Sequence, residues 1–147
     1  MKVFNRRAKF DYRLQESFET GIVLSGSEVK SARQGWLNFS GSFVRLDQQG
    51  EAWLYNLHIN PYPYADNKNY EPKRRRKLLL HRQELRQIAQ KIKQNNLTLV
   101  PVSCYTRHHQ IKLEIALARG KKAYEKREAI KKRDFERELE RKLIDNS

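Results

Sequence analysis

The chain changes character at Gly120. Upstream, short apolar runs are punctuated by turn signals; downstream, residues 121–143 contain neither Gly nor Pro and are rich in helix formers. Glu128 with Lys132 and Glu138 with Lys142 are favourable i,i+4 pairs. The apolar stripe of this segment is thin, mainly Phe135, Leu139 and Leu143. A helix so polar has little to pack against. The expectation is therefore a folded body over 1–119 and a tail over 120–147, disordered or helical only on binding a partner. With 38% hydrophobic residues in 147, there is material for one modest core.

The body reads as short strands around one good helix. Tyr12, Leu14 and Phe18 alternate with polar neighbours and run into Ile22-Val23-Leu24, a long strand with Gly21 at a bend. Ser25-Gly26-Ser27-Glu28 offers N-cap chemistry, and Gly35 a stop, for a short helix over 27–34. Residues 42–46 and 52–59 predict a hairpin around the turn Asp47-Gln48-Gln49-Gly50, with Trp53, Tyr55, Leu57 and Ile59 on one face. Leu85, Ile88, Ala89 and Ile92 form the stripe of a helix over 81–95. Pro101 places the strand 97–105 at an edge or bulge, and Ile111, Leu113, Ile115 and Leu117 alternate strictly in the next. Residues 1–9 read as a basic arm, and 65–72 as a mobile polar loop. The fold class is mainly β with flanking helices, an OB-like closed antiparallel barrel.

The net charge is +14. Residues 1–72 hold 9 basic and 8 acidic side chains, and residues 73–147 hold 22 and 9. Such a field serves a polyanion. Lys73-Arg74-Arg75-Arg76-Lys77 is its densest point, and cations this close repel one another unless a counter-charge lies there. The alternative is a solvated loop. A membrane partner lacks the amphipathic signal it needs. No apolar run is long enough to span a bilayer, and the N-terminus has no secretory h-region. The one cysteine, Cys104, excludes a disulfide framework and a Cys-based zinc site and fits a reducing cytoplasm.

Tyr62, Tyr64 and Tyr70 lie in loops and are candidates for base stacking, whereas Tyr12 reads as a core residue. His58, His81, His108 and His109 match no ligand or nuclease spacing; there is no phosphate loop and no nucleophile elbow. No enzyme activity and no cofactor are expected. Glu28 reads either as an exposed surface acid or as an acceptor for base or ribose hydroxyls. A ribosomal or single-strand-binding OB protein remains a generic alternative.

Several blocks carry a resemblance: Asn5-Arg6-Arg7-Ala8-Lys9 with Asp11-Tyr12, Glu19-Thr20-Gly21-Ile22-Val23-Leu24, Gly26-Ser27-Glu28-Val29-Lys30-Ser31, Arg76-Lys77-Leu78-Leu79-Leu80-His81 and Leu117-Ala118-Arg119-Gly120-Lys121-Lys122. In collinear order, from about Asn5 to Leu143, they resemble the small protein B family, partners of transfer-messenger RNA. The resemblance implies an OB-fold body binding the tRNA-like domain of that RNA. It also implies delivery to stalled ribosomes, with elongation factor Tu and alanyl-tRNA synthetase as indirect partners and a monomer in the cytoplasm. RNA-binding residues implied or suggested for the body are Asn5, Arg6, Lys9, Phe10, Glu28, Lys30, Arg33, Lys73, Arg74, Arg75, Arg76 and Lys77. For the tail, which by resemblance becomes helical in the vacant messenger channel against small-subunit RNA, they are Gly120, Lys121, Lys122, Tyr124, Lys126, Arg127, Lys131, Lys132 and Arg133. Phe10 stands where many members are expected to have His, and Glu125 where Asp is usual.

Overall fold

The structure is a computed structural model that describes residues 1–145, with the backbone alone for Ala123, Tyr124, Ala129, Ile144 and Asp145. Its elements in chain order are β1 (Lys2–Phe4), α1 (Arg6–Asp11), β2 (Tyr12–Ile22), α2 (Gly26–Arg33), β3 (Leu37–Asn38), β4 (Phe43–Leu46), β5 (Ala52–Tyr55), β6 (His58–Ile59), β7 (Arg76–Leu79), α3 (Arg82–Asn95), β8 (Thr98–Arg107), β9 (Gln110–Gly120) and α4 (Ala123–Asp145). All pairings are antiparallel. The order β8-β4-β5-β7-β2-β9 closes on itself through the β8–β9 hairpin, giving a ring of six strands with β1 added along β8. The fold class read from the sequence, mainly β with flanking helices, holds.

The ring encloses Leu54, Leu57, Ile59, Leu113, Ile115 and Leu117, each at most 1% exposed. Ile88 of α3 seats in the same core, with Leu85 and Ile92 packed against it, whereas Ala89 of the expected stripe is exposed. The strict alternation of β9 holds Ile111, Leu113, Ile115 and Leu117 inward. Pro101 lies beside a β8 bulge, the register shifting between Pro101 and Ser103, a place where a strand tolerates proline. Gly21 approaches β7 so closely that a Cβ would lie 3.2 Å from the Leu79 Cβ.

Three local readings need correction. Residues 1–9 are not an arm: β1 pairs with β8, and α1 anchors through Ala8, which is 1% exposed. The face assigned to 52–59 is wrong in its first half. Ala52 and Leu54 are buried, and Trp53 and Tyr55 lie outside. Asn56 then takes a left-handed φ of 61°, and this kink turns Leu57 and Ile59 inward. The loop over 65–72 is tied down by Tyr70 and by Asn67, whose Nδ2 donates to the Tyr62 carbonyl at 2.9 Å.

The tail is helical. Its links to the ring lie at its start: the Lys121 amide donates to the Asp11 carbonyl at 2.9 Å, Arg13 pairs with Glu125 at 2.8 Å and Lys126 with Asp11 at 3.3 Å. Further out, Phe135, Leu139 and Leu143 are 60%, 45% and 72% exposed. The thin stripe covers nothing in the body, in keeping with its polar composition.

Candidate nucleic-acid interface

The start of α2 builds a buried ion cluster. Ser25 caps the helix: its Oγ accepts from the Glu28 amide at 3.3 Å, and its own amide donates to Glu28 Oε1 at 2.9 Å. This capping box turns the Glu28 side chain back into the protein, where it is 1% exposed. There Arg76, fully buried on β7, donates from Nε to Glu28 Oε2 at 2.9 Å and from Nη2 to the same oxygen. Nη1 donates to the Leu57 carbonyl, and Nη2 also reaches the Pro72 carbonyl and the Tyr70 hydroxyl. Arg74 Nη2 donates to Glu28 Oε1. The Tyr70 hydroxyl lies 2.9 Å from the Ile59 carbonyl and 3.2 Å from Glu28 Oε2; its one proton serves one of them at a time.

Burial pushes the Glu28 carboxyl up, but hydrogen bonds from Arg74, the Ser25 amide and Arg76 outweigh it and hold the group below its ordinary range. Burial, and then the Glu28 charge, push the Tyr70 phenol up. Glu28 is thus neither an exposed acid nor an open acceptor for RNA. Its oxygens are taken by the protein's own donors. Tyr70, expected to be a stacking ring, is also committed inside.

The basic block is largely occupied from within. Arg74 and Arg76 share Glu28, Lys77 pairs with Glu51 at 2.7 Å, and the Arg75 guanidinium lies 4.2 Å from the Trp53 ring centroid. Strand alternation on β7 explains it: Arg76 and Leu78 point inward, while Lys77 and Leu79 are at least partly exposed. Lys73 is exposed with no ion pair among the described residues.

Other candidates divide between surface and scaffold. Asn5 is scaffold: its Nδ2 donates to the Pro101 carbonyl at 2.7 Å and its amide to the Val102 carbonyl at 2.8 Å. Arg6 and Lys9 are exposed on α1, and Phe10 is half-buried with the Arg7 guanidinium 5.0 Å from its ring. Lys30 and Arg33 are exposed on α2; Arg33 donates to the His109 carbonyl at 3.1 Å.

The structure gathers a cluster that sequence spacing did not show. Lys30 Nζ lies 5.5 Å from the Tyr62 ring, Trp36 and Tyr62 are 6.4 Å apart, and Tyr62 and Tyr64 meet edge-on at 5.6 Å. Tyr64 is 88% exposed. Together they form an aromatic platform at the surface with a cation beside it. Tyr12, by contrast, packs against the small cluster of Ala8, Val100 and Ala118.

On the tail side, Gly120 ends β9 opposite Tyr12. A groove of about 560 Å³ between body and tail is lined by Lys9, Tyr12, Arg13, Lys121, Glu125 and Lys132, among others. Lys126 is half-buried against Asp11, whereas Lys122, Arg127, Lys131 and Arg133 are exposed. The Tyr124 side chain lies outside the described residues.

His108 and His109 form the β8–β9 turn with φ of 50° and 64°. Among the described residues no group of three or more His, Cys, Asp or Glu is placed to hold a metal. Burial pushes the Cys104 thiol up to about 12, so at neutral pH it is protonated and no nucleophile. No helix among the described residues is long and apolar enough to cross a membrane.

Known proteins match this chain in sequence over nearly its whole length. The family model described as SmpB protein matches residues 2–145. An SsrA-binding protein of Persephonella marina is 49% identical over 94% of this chain and 90% of its own. One from Sulfurihydrogenibium sp. is 50% identical over 93% and 90%, and one from Aquifex aeolicus 47% identical over 95% and 88%. A solved structure described as "tmRNA-SmpB: a journey to the center of the bacterial ribosome" contains a chain 48% identical to this one. It superposes with a TM-score of 0.68 over 83% of this chain and 85% of that one. A ring of strands carrying surface cations and a terminal helix of mixed charge, matched in sequence almost end to end, places this chain in the SmpB family of SsrA-binding proteins.

Proposed function

We propose that the chain is a non-enzymatic RNA-binding adaptor of trans-translation. It binds the tRNA-like domain of transfer-messenger RNA and carries that RNA to stalled ribosomes, so that the nascent chain is tagged for degradation. The observation that carries this reading is the collinear likeness, 46–50% identical over at least 93% of the chain, to proteins named for binding that RNA.

The body, residues 1–119, grips folded RNA by phosphate contacts and stacking. Arg6, Lys9 and Phe10 of α1, Lys30 and Arg33 of α2, and Lys73 and Arg75 supply outward groups. Asn5, Glu28, Arg74, Arg76 and Lys77 hold the elements that present them. The tail, from Gly120, enters the vacant messenger channel. There Lys121, Lys122, Tyr124, Lys126, Arg127, Lys131, Lys132 and Arg133 meet small-subunit RNA. Elongation factor Tu and alanyl-tRNA synthetase act on the same RNA and are met through it. The protein works as a monomer in the cytoplasm and needs no cofactor.

The test is capture of RNA on the tagged full-length chain from its own bacterium, followed by sequencing. Transfer-messenger RNA should dominate the bound fraction. A pool resembling total RNA, without that enrichment, overturns the assignment.

A further inference from the structure

The outer face of β4 and β5 holds a second, separate set of rings and cations. Phe43 and Tyr55 are opposite each other in the ladder and stack at 5.1 Å with planes 13° apart. The Arg45 guanidinium lies 4.9 Å from the Phe43 ring, two residues along the same strand. Opposite Arg45 stands Trp53, whose Nε1 donates to Asp47 Oδ2 at 2.9 Å and whose ring carries the Arg75 guanidinium at 4.2 Å.

These contacts fix the groups and leave them unspent. Arg45 and Arg75 are both exposed, and neither makes an ion pair among the described residues. That sets them apart from Arg74, Arg76 and Lys77, which have carboxylate partners. A guanidinium held on a ring has lost much of its rotamer freedom before any ligand arrives. It offers a flat cationic surface on which a base stacks, and edge hydrogens for a phosphate. Trp53 is held by the Asp47 hydrogen bond, so it does not have to be ordered on binding.

We infer that this face, built on Arg45, Phe43, Tyr55, Trp53 and Arg75, is a further RNA-contacting surface that takes unpaired nucleotides, stacking bases on two ring-supported guanidinium groups. Duplex RNA is a poor fit, because its bases are stacked on each other and present no face. The surface is distinct from the Lys30, Trp36, Tyr62 and Tyr64 platform, which belongs to other elements. The inference does not depend on which RNA the body carries.

The two tryptophans make the test direct. In a Trp36→Phe full-length chain, Trp53 is the sole indole. Its emission is followed while a single-stranded adenosine 10-mer is added at about 200 mM salt, and a duplex of the same length is run in parallel. Fluorescence anisotropy of the labelled 10-mer reports total binding, including binding to the basic tail. The expected result is saturable quenching of Trp53 by the single strand and little by the duplex. Arg45→Lys with Arg75→Lys keeps the charge and loses the plane, so it should need about tenfold more RNA for the same quenching. A melting temperature within a few degrees of the parent shows that this variant is folded.

Unchanged Trp53 emission while anisotropy reports bound RNA overturns the inference, and leaves the face to a protein partner or to none. Equal quenching in the lysine variant overturns it as well, since the planar groups then do nothing.

Discussion

Arg76 and Glu28 face each other with no solvent access to either side chain, Nε 2.9 Å from Oε2, and so join β7 to the first turn of α2. Removing one partner leaves the other charged and buried. Arg76→Met and Glu28→Gln are each expected to cost about 3–5 kcal/mol in denaturant unfolding. Gln keeps the capping box, so the loss reports the ion pair and not the helix start. The double variant should cost clearly less than the sum of the two; strict additivity would mean the pair is not coupled.

The same pair sets an acid limit. The Glu28 pKa in the folded chain is held below its ordinary 4.5, so its contribution to stability is complete above that value and is lost as pH falls through the lowered one. Glu28→Gln has no such proton to take up. The stability gap between parent and variant should therefore be constant near neutrality and shrink below about pH 4.5. Unfolding free energies measured across pH 3–7 check this, and a gap that widens in acid contradicts it.

Asn56 is the hinge between two strand faces. Its φ of 61° suits Asn or Gly and is strained for other residues. Asn56→Gly should be within about 0.5 kcal/mol of the parent, and Asn56→Val should lose about 1–2 kcal/mol. Thermal melts of the pair give the comparison.

Ending the chain after Gly120 should barely disturb the ring. What is lost there is two partly exposed bridges, Arg13 to Glu125 and Lys126 to Asp11, and the Lys121 amide bond to the Asp11 carbonyl, worth about 2 kcal/mol or less together. Capture of transfer-messenger RNA should persist, and tagging of chains on stalled ribosomes should disappear. A truncated chain that loses RNA affinity by much more than about tenfold would place RNA-gripping residues in the tail.

What could be read beforehand followed from periodicity. The stripe Leu85, Ile88 and Ile92 and the alternation of Ile111 to Leu117 each identify one element and one inward face, and the helix and strand form as read. Alternation alone misplaces the face of 52–59 because one left-handed residue reverses it; the only mark at Asn56 is its residue type, which tolerates that conformation and is uncommon inside strands. The Lys73–Lys77 block reads as a bare docking patch because sequence shows neighbours along the chain only. Its main counter-charge, Glu28, lies more than forty residues upstream. The one available signal was the capping-box spacing from Ser25 to Glu28, which turns that carboxylate back toward the helix start. The Trp36, Tyr62 and Tyr64 grouping was invisible for the same reason: it is assembled by the return of a loop.

The left-handed turn at Asn56 also constrains how this hairpin can change in length. Adding or dropping a single residue between Ala52 and Ile59 would trade interior for exterior at every position beyond it, evicting Leu57 and Ile59 and drawing polar groups into their places. Length variation among descendants of this chain should therefore collect at the 47–50 tip and spare that stretch.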